Sequence, residues 1–218
     1  FPDFEARIGR WLLRTFQNDR LKIGFNGVAR AATSNRDANP LGEDVNKGWL
    51  QHIREQAPEQ VISEIVAASG KVTFGEGGDY KTIDQLVVEA HGDLIPRYHR
   101  QSGGLGVFIS DTLLNERHYA LVDQSQPTER IAADEIIRRA RVGNLPALSA
   151  PWFPEGSILI TSYDNLSRYE QEGSRRRKIE HAPQRRGFVS WESFNEAFVV
   201  EDYERAALVE NVQEFVAE

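Results

Sequence analysis

The opening of this chain restricts its architecture more than any other stretch. From Asp3 to Ile23 the apolar residues Phe4, Ile8, Trp11, Leu12 and Phe16 recur at spacings of three and four, while Arg7, Arg10, Arg14 and Arg20 fall on other faces. That is the period of an amphipathic helix. At 1.5 Å per residue it extends on the order of 30 Å, and Gly24 is a natural stop. A helix of this length, placed first and with Trp11 and Phe16 on its buried side, predicts a beam lying across a sheet; the plainer reading is an ordinary core helix.

The next stretch, Phe25 to Pro40 (FNGVARAATSNRDANP), abandons every regular period. Such a run holds either a ligand or a neighbouring copy of the same protein. A second helix is expected from about Asp44 to Gln56, where Val45, Trp49 and Ile53 repeat every fourth residue before Pro58. A third starts at Thr82, with Gln85 completing a capping box, and carries Ile83, Leu86, Val87, Ala90 and Leu94 up to Pro96. Gly106–Ser110 reads as a short buried strand, followed by a helix capped by Ser110 or Asp111 through Leu113, Leu114 and Tyr119. Thr128 opens another helix that ends at Gly143.

From Ser157 the pattern turns to β. Ser157–Thr161 reads as a core strand, and Glu192, Phe194, Glu196, Phe198 and Val200 share one face of a later long strand. Glu201–Glu204 is then the tight connection to an antiparallel partner in Arg205–Phe215. Early helices and late strands point to an α+β fold of one or two lobes, in which the first helix packs on the C-terminal strands.

Few chemistries fit these residues. With 218 residues, 40% of them hydrophobic, the chain is long enough to bury a core, and without cysteine it can form neither disulfides nor thiolate metal sites. That favours a reducing compartment. No apolar run approaches the roughly 18 residues of a membrane span, so no membrane partner is expected, and FPDFEARIGRW lacks a signal pattern. A chain beginning at Phe1 and devoid of Met suggests a fragment, a processed product, or modified methionines absent from the written sequence. The five histidines, His52, His91, His99, His118 and His181, make no HxxxH, HxH or HExxH spacing. His52 and His118, beside Arg54 and Arg117, read as structural. No serine sits in a GxSxG elbow, and the acidic pairs Glu43–Asp44 and Glu201–Asp202 read as solvated surface. No catalytic residue, metal or cofactor is therefore expected.

Two glycine clusters, Gly75–Asp79 and Gly103–Gly106, read as turns: Asp79 would oppose a phosphate in the first, and the second precedes a strand instead of a helix. The net charge of −7 disfavours general nucleic-acid binding. Its exception is the basic run Arg175–Arg186 (RRRKIEHAPQRR), which lacks interleaved aromatics and follows an acidic EQEG. It reads as a charged loop or hairpin tip that meets an acidic patch on another copy. Two alternatives stay open: a hydrolase using His99 or His118 with a nearby acid, and a nucleic-acid-binding module built on the 175–186 run.

Several blocks together resemble one known family. GFNGVARAATSNRDANPLGEDVNKGWLQHIREQAPEQV, GKVTFGEGGDYKTIDQLVVEA, AADEIIRRARVGNLPALSAPWFPEGSILITSYDNLS and FNEAFVVEDYERAALVENV are similar to the major capsid proteins of P-two-type (peduovirus) tailed bacteriophages. The words GFNG, GNLPA and VVEDY are specific in combination. The resemblance implies a Hong Kong 97-type α+β fold: a spine helix of the peripheral domain at 1–24, a mainly axial domain at 25–165, and strands returning through the peripheral domain at 166–218. It implies no enzymatic role. Copies would assemble as pentamers and hexamers around an internal scaffolding protein, in the bacterial host cytoplasm, into a virion capsid that encloses DNA without binding it specifically. Family members are longer at the N-terminus, so the arm and extended hairpin loop that neighbours share would be missing, leaving a monomer or weak oligomer. Contact residues expected on this basis are Arg30, Arg36 and Asp37 on the axial side, and Arg175, Arg176, Arg177, Arg185 and Arg186 at the peripheral tip.

Overall fold

A computed structural model describes residues 3–124 and 141–215. The chain begins with α1 (Phe4–Asn26) and α2 (Trp49–Gln56), then β1 (Val61–Ile62), β2 (Val72–Phe74), α3 (Ile83–Leu94) and α4 (Arg97–Ser102). It continues through β3 (Gly106–Ile109), α5 (Asp111–Gln124), β4 (Arg141–Val142), β5 (Leu145–Leu148), β6 (Ile158–Thr161) and β7 (Leu166–Glu170). The last part holds β8 (Arg176–Ala182), β9 (Gly187–Ser193), β10 (Glu196–Val200), β11 (Ala207–Val209) and β12 (Val212–Glu214). The helix expected from Thr128 lies outside the described residues, except for Arg141 and Val142, which form β4.

Six strands make a mixed sheet in the order β1-β11-β6-β3-β5-β4. Side chains on a strand alternate between faces, and both faces of this sheet are buried. Val107, Ile109, Ile158, Ile160, Ala207 and Val209 point into one core with α3, β2 and β12. Phe108, Leu159 and Leu208, each one residue out of step, point into a second core with the end of α1, α2 and Phe153. Burying each Leu, Ile or Phe contributes about 1.5–3 kcal/mol. In the second core Phe25 meets the edges of Trp49 and Phe153 at 5.1 and 5.4 Å, and the Trp49 indole donates to the Ser167 carbonyl at 2.8 Å.

The first helix does not stop at Gly24. Its last turn runs on to Asn26 because Gly24 is the point of closest approach to α2: a Cβ there would lie 2.4 Å from the Trp49 ring. Gly48 answers from the other side, where a Cβ would lie 2.3 Å from the Gly24 carbonyl oxygen. The glycines of GFNG and of NKGW thus form a backbone-to-backbone joint. The joint also shortens the expected second helix. Residues 44–48 cross the end of α1, with Gly48 N donating to Gly27 O and Asn46 Nδ2 to Glu196 O, so helical bonding begins at Trp49 and Val45 is exposed.

Thr82 caps α3 through Gln85 N at 3.2 Å, while the Gln85 side chain accepts from Lys81 N. The expected long strand at 188–201 is two strands in two sheets. Asn195 interrupts it by bonding back to Gln171 and Ser174, so β9 pairs with β8 and β10 pairs antiparallel with β7. The partner expected after Glu201–Glu204 is also different: that turn delivers β11 into the central sheet between β6 and β1.

Candidate assembly surfaces

The irregular stretch after α1 is a loop closed on itself. Val28 N and Ala29 N donate to Glu43 O, and Ala31 N donates to Asp44 O. The Asp44 carboxylate takes Asn35 N at 2.6 Å and the Ser34 hydroxyl at 2.9 Å. These bonds, with that from Asn35 N the largest, hold the Asp44 carboxyl below its usual range. Asn35 Oδ1 in turn accepts from Asp37 N at 3.1 Å. The backbone donors of Val28, Ala29, Ala31, Asn35 and Asp37 are thus bonded within the loop, and Arg30, Arg36 and Asp37 stand exposed on its outside.

The first helix is anchored only along its C-terminal part. Arg20 lies over the Phe194 ring at 4.7 Å and reaches Glu196 at 3.1 Å; Arg168 reaches the same carboxylate at 2.9 Å. Lys22 sits 4.5 Å over the Trp152 ring, and Asn26 Nδ2 donates to Trp152 O at 2.8 Å. Trp152 itself holds a left-handed φ of 67°, a rare conformation for so bulky a residue. Toward the N-terminus the expected buried side is open: Trp11 is 64% exposed, and Ile8, Leu12, Leu13 and Phe16 are exposed with it. The periodicity was real but its cover is not among the described residues; the C-terminal strands reach the helix only around Arg20.

The basic run forms an antiparallel hairpin, turning at Pro183–Arg186, with Arg186 left-handed at φ 51°. Arg176, Arg177 and Lys178 lie on β8, Arg185 and Arg186 in the turn, and Arg175 just before β8, where it pairs with Glu192 at 2.5 Å. The two arginine groups therefore sit at opposite ends of one hairpin and not together at its tip. Among the described residues β8 and β9 pair with no other strand, and both faces are largely exposed. Trp191, 62% exposed, is the cross-strand partner of Lys178. The missing aromatic was thus supplied from the facing strand; pairing RRRKIEHA with GFVSW about the PQRR turn would have found it.

Sequence reasoning also missed a cluster at the far end of the β7–β10 ribbon. Buried Asn165 donates to Thr161 Oγ1 at 3.0 Å and Asp202 O at 2.8 Å, and accepts from Asp202 N at 2.8 Å, which ties turn 162–165 to turn 201–205. Around this clamp stand the exposed rings of Tyr98, Tyr163 and Tyr169. Tyr98 donates to Glu204 and Tyr169 to Glu201, the latter at 2.8 Å. His99 pairs with Asp202 at 3.1 Å, a contact that tethers α4 to the 201–205 turn. His118 is lowered by burial and then by Arg117; Arg117, 5% exposed, is committed to Asp84 at 2.6 Å. Asp79 accepts from Thr73 N and Thr73 Oγ1 at 2.9 and 2.6 Å, so the Gly75–Asp79 turn is stitched inward. Among the described residues no group of His, Cys, Asp and Glu could hold a metal ion, and no helix is long and apolar enough to cross a membrane.

A solvent-facing helix stripe, an unsupported hairpin and an exposed tyrosine cluster are features of a chain that meets other chains. A family model described as phage major capsid protein, P2 family, matches residues 1–212. The chain belongs to that family. It is 39% identical over 219 residues to the capsid proteins of Escherichia phage P2, and 36% identical to the major capsid protein of Serratia phage KSP20, covering 98% and 97% of this chain. It spans 61% and 62% of those relatives' lengths. Its structure matches a chain of the satellite phage P4 procapsid that includes the size determination (Sid) protein, with a TM-score of 0.90 and 37% identity over 99% of this chain and 65% of that one. A match to the capsid of an empty GTA particle, TM-score 0.54 at 12% identity over 97% of this chain and 66% of that one, shows a shared capsid-type fold of mixed helix and sheet.

Proposed function

We propose that this protein is a major capsid protein, a structural subunit that self-assembles as pentamers and hexamers of an icosahedral phage head. The observation that carries this reading is the family match over residues 1–212 together with a TM-score of 0.90 to a procapsid chain. In finer detail the fold is Hong Kong 97-type. The spine helix of a peripheral domain is α1, Phe4–Asn26; the mainly axial domain follows it to about residue 165, and β7 to β10 return through the peripheral domain before β11 rejoins the central sheet. An apolar stripe left open on α1 and a hairpin without a supporting layer suit a subunit whose surface is completed by neighbours.

The protein has no catalytic role and no cofactor. Its partners are other copies of itself, an internal scaffolding protein during assembly in the bacterial host cytoplasm, and the DNA enclosed in the finished virion. A net charge of −7 fits a container for DNA, since each neutralised phosphate would add counterion-release affinity and make the wall adhesive. Arg30, Arg36 and Asp37 would make axial-side contacts, with the hairpin arginines Arg175, Arg176, Arg177, Arg185 and Arg186 serving the peripheral side.

Electron microscopy of the protein expressed from its complete gene with its scaffold tests the reading. Shells are expected from the natural sequence, and Arg30→Glu with Arg36→Glu should block capsomer formation. Normal particles from that variant would remove the axial contact assignment; no particles from the natural sequence would remove the function.

A further inference from the structure

The surface is polarised along one axis. The β7–β10 ribbon runs from the pair Leu166↔Val200 to the pair Glu170↔Glu196, about 14 Å at strand rise. At its first end lie turns 162–165 and 201–205, with Asp164, Glu201, Asp202 and Glu204 and the exposed rings of Tyr98 and Tyr163; Arg205 pairs with Asp164 and His99 with Asp202 at this end. At its other end the chain passes through residues 171–174 into the β8–β9 hairpin. Residues 174–193 hold six Arg and Lys against two Glu, a net of +4, so the remainder of the −7 chain carries −11.

We propose that the hairpin of one copy docks on the tyrosine and carboxylate end of a second copy, with Arg176, Lys178 and Trp191 meeting Glu201, Glu204 and the rings of Tyr98 and Tyr163. The proposal rests on the capsid reading and names the contact that would join neighbouring subunits. Register places Arg176, Lys178, Trp191 and Ser193 on one face of the hairpin, because Arg176 pairs with Ser193 and Lys178 with Trp191. That face carries Arg176 and Lys178 beside the exposed indole of Trp191, with Glu180 next along the strand paired to Lys178. The opposite end of the ribbon offers carboxylates flanking exposed phenol rings, the complement in both charge and aromatic character: cations stack on tyrosine faces, and a desolvated aromatic anchor supplies most of the energy of such contacts.

A lone two-stranded hairpin is marginal in water, and the exposed Trp191 gives its docking face surface to bury against another molecule. The two sites lie at opposite ends of one ribbon, so a chain's own hairpin does not cover its own carboxylates. A contact between two different patches is head-to-tail and generates rings when the rotation closes. DNA is the weaker occupant, because the −11 remainder of the chain would repel the phosphates that the hairpin attracted.

The test uses the protein expressed from its complete gene, with three variants: Arg176→Glu plus Lys178→Glu; Glu201→Lys plus Glu204→Lys; and all four together. Shell yield is read by sedimentation and electron microscopy, and folding of each soluble chain by thermal melting. Each two-site reversal should lower shell yield roughly tenfold or more, as like charges then face each other, and the four-site variant should recover it. Should the carboxylate reversal melt early, Tyr163→Ser keeps the acceptor side testable, and it should also lower yield. Unchanged shells from either reversal, or no recovery in the four-site variant, overturns the pairing. Normal shells that have lost only packaged DNA would assign the hairpin to nucleic acid instead and also overturn it. Absence of shells from the natural sequence would instead strike the capsid reading beneath it.

Discussion

Gly48→Ala tests whether the joint between α1 and α2 depends on bare backbone. Gly48 has φ −94° and ψ 178°, which alanine adopts freely, so the substitution adds a methyl group without torsional strain. That methyl would sit 2.3 Å from the Gly24 carbonyl oxygen and 2.7 Å from that of Ile23. Both obstacles are main chain in the last turns of a helix, so the two segments must separate by about 1 Å to restore ordinary contact. Overpacking of this kind costs about 1–3 kcal/mol, offset by about 0.4–1 kcal/mol from the stiffer unfolded chain. A net loss of about 1 kcal/mol lowers the melting midpoint of a chain this size by roughly 2–4 °C. Differential scanning calorimetry measures it, and Gly9→Ala is the matched control: a Cβ at Gly9 meets nothing within 4 Å, so that variant should gain about 0.5–1 kcal/mol from helix propensity. A Gly48→Ala protein that melts at or above the parent midpoint would refute the steric account of the joint.

Asp84→Ala should cost about 2–4 kcal/mol in urea unfolding, because it strips the carboxylate from a nearly buried Arg117 and from Gly143 N, at 2.6 and 2.8 Å; Asp84→Leu with Arg117→Met should lose less. Asn165→Leu should cost about 2–4 kcal/mol by leaving both backbone groups of Asp202 without their partner, read by thermal melting. His91 and His118 are lowered by burial and then by Arg100 and Arg117 respectively. Their unfolded forms take up protons first as pH falls through 6.5, so stability should drop from pH 7.5 to 5.5. Replacing both with Gln should flatten that slope in melting curves, and an unchanged slope would remove these histidines as its cause. Glu116, raised chiefly by burial, works in the opposite direction above pH 4.5, which is why the comparison is made between variant and parent.

Helix positions were legible where one face of a single element was buried. The Thr82 cap and the Ile83, Leu86, Val87, Ala90 pattern gave α3 with its correct start, and the Gly106 and Ser157 strands fell where alternation and apolar runs put them. What escaped was decided by contacts between distant segments. Gly24 reads locally as a helix stop, yet Trp49 packing makes it a crossing point. Phe194 to Val200 reads as the continuation of one strand, yet Asn195 bonds to Gln171 and Ser174 and moves the chain from one sheet to another. At the candidate surfaces the charge of the hairpin was legible, while its aromatic component was not, since Trp191 lies 13 residues from Lys178 in sequence and opposite it in space. The Tyr98, Tyr163, Tyr169 group assembles from α4, the 162–165 turn and β7, gathered by the His99–Asp202 pair and the Asn165 clamp, and no local pattern announces it.

The odd-even arrangement of the central sheet makes adjacent residues informants on different neighbourhoods. Leu159 reports to the aromatic side that holds the end of α1, whereas Ile158 and Ile160 report to the side that holds α3. An isotope or fluorine label moved by one position along β6 would therefore switch its audience. Any tilt of the long helix during shell formation should disturb the signal at 159 while leaving those at 158 and 160 comparatively still, turning three consecutive residues into a two-channel gauge of which half of the subunit is under load.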